Sequence, residues 1–141
     1  MAPAAVHSSL FSFRFLVLAL FALCAIAPTL GHARTHPIEN VESAPIPQGI
    51  DPGKIENAIV MGGKQRGWLS KKVTDRHLEA TINVRKHSAT VDIKWTDAGY
   101  SITYKDSQNL KYKDGKIHSN YNIWVRNLNL DIQKSLTQTT L

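Results

Sequence analysis

The chain has 141 residues, a formal net charge of +6 at neutral pH and a single cysteine. This length predicts one domain and excludes an enzyme with separate cofactor and substrate domains. One cysteine cannot form an internal disulfide, and it excludes zinc sites built from several cysteines.

The N-terminal region has the pattern of an export signal. Residues 15–27 form an unbroken apolar run after Arg14, and this run is shorter than the roughly 20 residues that span a bilayer. Gly31 and Ala33 supply the small residues that precede a cut after Ala33. The sequence therefore predicts a signal peptide over residues 1–33 and a periplasmic or envelope location, where nucleic acid is not an expected partner.

Two alternatives would keep the protein on a membrane. The signal could be retained as an anchor, or Cys24 could carry a lipid. A lipidated cysteine needs small residues just before it, and Leu23 is bulky at that position. Membrane association is therefore expected only if Cys24 is lipidated or the signal is retained. Cleavage would remove only Arg14 among the charged residues, so the mature chain stays basic.

An extended lead-in and a helix are predicted next. Residues 34–50 contain three prolines and little periodicity, which is typical of an extended arm. Asp51 is a good N-cap and Pro52 a good first helical residue, because proline lacks an N–H that would have no partner there. With Gly62 as a stop signal, the spacing predicts a helix over residues 51–62.

Three segments then alternate apolar and polar residues with a period of two. They cover residues 78–84, 89–95 and 100–104, and a possible short strand over residues 67–73 precedes them. This pattern is typical of half-buried antiparallel strands. Tight turns at residues 86–87 and 97–98 would place apolar residues opposite one another. The resulting pairs are Val84 with Ala89 in the first hairpin and Trp95 with Tyr100 in the second.

The last segment carries an apolar stripe at helical spacing. Its members are Ile117, Tyr121, Trp124, Val125, Leu128, Ile132 and Leu136. We therefore predict a two-layer α+β fold over residues 51–141. An antiparallel meander of three to four strands would be covered by an N-terminal helix and a longer C-terminal helix.

Two motifs carry a resemblance to known proteins. Residues 100–112 have the pattern Tyr-Ser-Ile-x-Tyr-x-Asp-Ser-x-Asn-Leu-x-Tyr, and residues 117–125 have Ile-His-x-x-Tyr-Asn-x-Trp-Val. The chain resembles a family of small bacterial exported proteins and lipoproteins of unknown function. The resemblance implies a fold and a compartment but no reaction. Many relatives carry a lipidation motif, and this chain departs from it at Leu23.

A polar segment after the third strand is the first candidate site. Asp106, Ser107 and Asn109 are predicted to form a loop, with His118 shortly after them. With Trp68, an aromatic residue that we expect to be partly exposed, they are the candidate ligand-binding residues. Ser107 and His118 would suit a small hydrolase, but the Gly-x-Ser-x-Gly motif is missing, and turn-shaping roles are the commoner use of such residues. No catalytic residue is assigned.

Basic residues form the second candidate site. One cluster is Lys64, Arg66, Lys71 and Lys72, and another is Lys111, Lys113 and Lys116. Such patches attract phosphate, lipid head groups or acidic polymers. The histidines lack the spacing of metal ligands, so no metal or cofactor is predicted. The chain is expected to be a non-enzymatic binding or structural protein that meets anionic envelope components or envelope proteins. The alternatives are the small hydrolase or a lipid-anchored subunit of an envelope assembly.

Overall fold

A computed structural model of the chain describes residues 34–140. The predictions for residues 1–33, including those for Cys24, lie outside the described residues. The strands are β1 (Thr35–Pro37), β2 (Val41–Pro45), β3 (Leu69–Thr74), β4 (His77–Val84), β5 (His87–Trp95), β6 (Gly99–Gln108) and β7 (Lys116–His118), and the helices are α1 (Pro52–Lys64) and α2 (Ser119–Thr139).

The fold is α+β, as predicted, with an antiparallel sheet and a longer C-terminal helix. The sheet has five strands in the order β2-β6-β5-β4-β3, rather than the three to four that were expected. The extra strand is β2, which pairs with β6 through Val41 opposite Ile102 and Ala44 opposite Tyr100. Strands β1 and β7 form a separate two-stranded sheet.

The N-terminal segment is tied to the rest of the domain by Asn122. This buried side chain accepts a hydrogen bond from the Glu39 N–H at 3.1 Å and donates one to the Pro37 carbonyl at 2.9 Å. Residues 34–50, expected as a lead-in, thus supply strands to both sheets. The strands of this segment were not predicted from the sequence, because its prolines interrupt the alternation expected of a strand.

The two hairpins differ in how well their register was predicted. Trp95 faces Tyr100 across the second turn, as expected. In the first hairpin Val84 faces His87 instead of Ala89, and the turn lies at residues 85–86. Arg85 adopts the left-handed conformation there, with φ at 56°. A shift of two residues leaves every side chain on the same face, so apolar pairing alone could not detect it.

Helix α1 continues past the glycine that was expected to stop it, and ends at Lys64. Gly62 serves the packing of α1 against α2. A Cβ atom on Gly62 would lie 2.7 Å from Cα and 2.8 Å from N of Ile132 in α2. The left-handed residue that ends this region is Gly67, with φ at 83°.

Helix α2 begins at Ser119, so Ile117 belongs to β7 rather than to the helix. The remaining apolar stripe packs into a single core with the covered face of the sheet. Its fully buried members are Tyr121, Val125, Leu128, Ile132 and Leu136. One face of the five-stranded sheet is thereby covered by the two helices, and turns join the ends of its strands.

Candidate anion-binding site

A tight turn joins two lysines between β6 and β7. The N–H of Lys113 donates to the Lys116 carbonyl and the reverse bond also forms, both at 2.9 Å. The central residues, Asp114 and Gly115, have φ values of 50° and 72°. Two central residues with positive φ are the geometry that the Asp-Gly dipeptide favours in two-residue hairpins. The turn therefore holds Lys113 and Lys116 directly opposite each other.

This arrangement places like charges together. Directly opposed residues on paired strands extend their side chains to the same face, and like charges in such a pair are destabilising. A concave pocket of about 340 Å³ lies here, lined by Thr35, Lys111, Lys113, Asp114 and Lys116. We call it the lysine pocket. Three ammonium groups against one carboxylate make it a site that suits an anion.

The backbone before the turn fixes the position of the third lysine. Leu110 is only 1% exposed, and its carbonyl accepts a hydrogen bond from the His118 N–H at 2.8 Å. Its neighbours Asn109 and Lys111 both have left-handed backbones, with φ at 58° and 53°. For a lysine this conformation costs about 1 kcal/mol. Burial of Leu110 thus holds Lys111 in an unusual conformation beside the pocket.

None of the three pocket lysines has a carboxylate partner within residues 34–140. In the first basic cluster Arg66 pairs with Asp131, and Lys72 pairs with Glu56 at 2.7 Å. That cluster is therefore half neutralised. The second predicted cluster is the one that the fold gathers into a site.

The uncovered face of the sheet is neutralised in the same way. Oδ1 of Asp92 lies 2.6 Å from Nε2 of His77 and 3.8 Å from Nζ of Lys105. The Lys105 ammonium also forms a salt bridge with Glu79. The hydrogen bond to Glu79 raises the pKa of Lys105, so its ammonium form is favoured. Opposite charges here satisfy one another, and this face offers a weaker attraction to an external anion than the lysine pocket does.

The polar segment predicted as a loop is the end of strand β6. Asp106 lies opposite Thr90, and Ser107 lies opposite Ala89. The Ser107 hydroxyl is 3.0 Å from the Tyr104 hydroxyl, and burial raises the pKa of Tyr104. The prediction of a loop was wrong for Asp106 and Ser107, which are polar yet pair with β5, whereas Asn109 follows the end of β6. Hydrogen bonding to a partner strand overrides their local preference for turns.

His118 serves as the N-cap of helix α2. Its Nδ1 accepts a hydrogen bond from the Asn120 N–H at 3.2 Å. No hydrogen bond joins it to Ser107 within the part of the chain that the structure describes. The contact that a serine nucleophile needs from its base is therefore not present between these two side chains.

Asn109 has a structural role near the pocket. Its side-chain amide donates to the Lys86 carbonyl, and its own carbonyl lies 2.8 Å from Nδ1 of His87. These bonds tie the β4–β5 turn to the end of β6. They also bring the cations of that turn to the same end of the domain as the lysine pocket.

Trp68 is buried, which corrects the expectation that it is exposed. It is 2% exposed, its backbone N–H donates to the Gly63 carbonyl at 3.1 Å, and its side chain lies beside Gly63. The left-handed Gly67 turns the chain so that Trp68 enters the core. Trp68 is therefore not available as a surface ligand-binding residue.

The sequence pattern indicated the three pocket lysines as a basic cluster, but it did not indicate that Thr35 and Asp114 belong to the same site. Asp114-Gly115 is a strong hairpin signal that could have placed Lys113 opposite Lys116. The position of Thr35 depends on the pairing of β1 with β7, in which Thr35 lies opposite His118. No local pattern in the sequence indicates this long-range pairing of β1 with β7.

Comparison with protein-family models, curated proteins and solved structures found no match. Neither described helix combines the length and hydrophobicity needed to cross a bilayer. Residues 34–140 contain no group of three or more His, Cys, Asp or Glu side chains arranged to hold a metal ion.

Proposed function

We propose that this chain is an exported, non-enzymatic protein of the cell envelope that binds an anionic, phosphate-bearing component through the lysine pocket. The observation that carries the proposal is the set of three lysines around one concavity, two of them held opposite each other by a hairpin. Stability alone would favour a carboxylate or a neutral residue at one of these positions. Retention of like charges at a cost in stability is expected of a binding site.

Export is supported by the apolar run over residues 15–27 and by the small residues Gly31 and Ala33 before the predicted cut. The resemblance to a family of small bacterial exported proteins and lipoproteins points the same way. The mature protein would meet phosphate groups on lipids and on envelope polymers, which is the chemistry that its charge suits.

The export proposal predicts a protein that begins at Arg34. The full chain should be expressed in a bacterium, the cell fractions separated, and the intact mass of the accumulated product measured. We expect the mass of residues 34–141 in the periplasmic fraction. A diacylated product beginning at Cys24 would instead indicate a lipoprotein, and the unprocessed mass in the cytoplasm would contradict export.

Two variants with equal loss of charge test the binding proposal. The pocket variant carries Lys111→Gln, Lys113→Gln and Lys116→Gln, and the surface variant carries Lys54→Gln, Lys64→Gln and Lys134→Gln. All six lysines are exposed, and none has a carboxylate partner among the described residues. Only the first three line the pocket.

The measurement is elution from phosphocellulose in a salt gradient. We expect the wild type to elute last, the surface variant slightly earlier and the pocket variant at much lower salt, because clustered charges bind an anion more strongly than scattered ones. Equal shifts for the two variants would show that net charge alone controls retention. Ester or amide turnover that Ser107→Ala abolishes would contradict the non-enzymatic part of the proposal.

A further inference from the structure

The lysine pocket lies where the chain enters the domain. Thr35, the first residue of β1, lines the pocket, and the Arg34 carbonyl accepts a hydrogen bond from the Ser119 N–H at 3.3 Å. Residue 34 therefore lies beside the pocket. In the sequence, six residues lie between the end of the apolar run at residue 27 and Arg34, and the seven peptide steps across them reach about 25 Å when extended.

Further cations belong to the same end of the domain. The β4–β5 turn carries Arg85 and Lys86. The side chain of Asn109, two residues before Lys111, donates a hydrogen bond to the Lys86 carbonyl in this turn. Neither Arg85 nor Lys86 has a carboxylate partner within residues 34–140. The positive charge is thus broader than the pocket, which favours a charged surface over a small soluble anion.

An aromatic side chain lies among these charges. Tyr112 stands between Lys111 and Lys113 in the chain, is 47% exposed, and its ring stacks on Tyr104 with centroids 4.4 Å apart. A tyrosine with an apolar ring and a polar hydroxyl suits the boundary between lipid tails and water. This residue favours a bilayer over a soluble phosphate polymer as the occupant.

We infer that this end of the domain docks on an anionic phospholipid bilayer, with a lipid phosphate in the lysine pocket and Arg34 directed toward the membrane. The inference rests on the proposed function and specifies its ligand. Basic patches of this kind strengthen membrane binding, and they stabilise attachment when a short lipid or peptide anchor is also present. An anchor ahead of Arg34 would hold the pocket within reach of the bilayer, while the processed protein would dock reversibly.

Co-sedimentation with vesicles tests the inference. Protein purified after expression of the full chain is mixed with vesicles of phosphatidylglycerol and phosphatidylcholine, or of phosphatidylcholine alone. We expect binding to the anionic vesicles only. Each lysine near such a surface strengthens binding roughly fivefold, so the pocket variant should bind on the order of 100-fold more weakly. The surface variant should stay within about threefold of the wild type, since its substitutions lie outside the contact.

The outcomes separate the inference from the proposed function. Pocket-dependent retention on phosphocellulose without binding to anionic vesicles would overturn the inference and leave the proposed function standing. Loss of both would overturn both. Equal weakening by the pocket and surface variants would show attraction by net charge and would overturn the docking geometry.

A labelling experiment tests the orientation independently. An environment-sensitive fluorophore is attached at Thr35→Cys, or at Ala98→Cys in the turn beyond the far end of β5, a nine-residue strand about 30 Å long. Cys24 is replaced by Ser if the signal is not removed. We expect a blue shift on anionic vesicles only for the label at residue 35. Equal shifts at both positions, or a shift only at residue 98, would overturn the inference.

Discussion

Replacement of Gly62 by alanine should lower the free energy of unfolding by about 3 kcal/mol. The new Cβ would lie within 3 Å of three backbone atoms, namely Cα and N of Ile132 and the Asp131 carbonyl oxygen. Backbone atoms cannot rotate aside, so the two helices must separate and lose core contacts. The gain in helix propensity, about 1 kcal/mol, offsets only part of this cost.

The neighbouring glycine is the matched control for Gly62. A Cβ on Gly63 would meet Cβ of Trp68 at 3.3 Å and Cδ1 of Leu128 at 3.4 Å, which are side-chain atoms that can shift slightly. Gly63→Ala should therefore change stability by no more than about 1 kcal/mol in either direction. Urea unfolding followed by circular dichroism measures both. Equal stability of the two variants would show that α1 and α2 do not approach closely at Gly62.

The second large effect is expected at Trp68. Its truncation to alanine should cost about 3–5 kcal/mol, because the side chain is fully buried beside Gly63 in the core. This is a large part of the 5–15 kcal/mol that typically stabilises a domain. The variant should be partly unfolded at 37 °C, as monitored by near-ultraviolet circular dichroism and urea unfolding.

Replacement of Trp68 by phenylalanine separates the effect of losing the indole N–H from the effect of losing the buried ring. The indole N–H of Trp68 has no hydrogen-bond partner among the described residues, so Trp68→Phe removes an unsatisfied donor and most of the ring stays. We expect it to cost less than half as much as Trp68→Ala. Tyr112→Ala, at an exposed aromatic residue, should cost about 1 kcal/mol or less. A Trp68→Ala variant as stable as the wild type would place this residue at the surface and restore it as a ligand-binding candidate.

Residue patterns predicted the faces of the sheet better than its partners. The alternation over β4, β5 and β6 identified the buried set correctly, because every second residue of a strand points the same way. It could not fix the β4–β5 register, since a shift of two residues preserves those faces. Nor could it reveal β2 and β1, whose pairing depends on contacts with residues more than 50 positions away.

The candidate sites show the same division. Lys111, Lys113 and Lys116 are close in sequence, so their clustering was visible before the fold was known. The expectation that Trp68 is partly exposed was wrong because Gly67 does not open a strand; its left-handed backbone turns the chain so that Trp68 enters the core. The sign of φ at a glycine is not encoded in the residue itself.

The hydrogen bonds of Asn122 to the N-terminal segment have a consequence for the order in which the chain can fold. These two bonds join residues that are 83 and 85 positions apart. If the chain is exported as we propose and emerges from a translocation channel with its N-terminus first, these bonds cannot form until α2 has also emerged. Strands β1 and β2 must then wait for nearly the whole domain, and contacts of such long range are slow to close. Thr35, which lines the lysine pocket, thus reaches its final position only after almost the whole domain has been delivered.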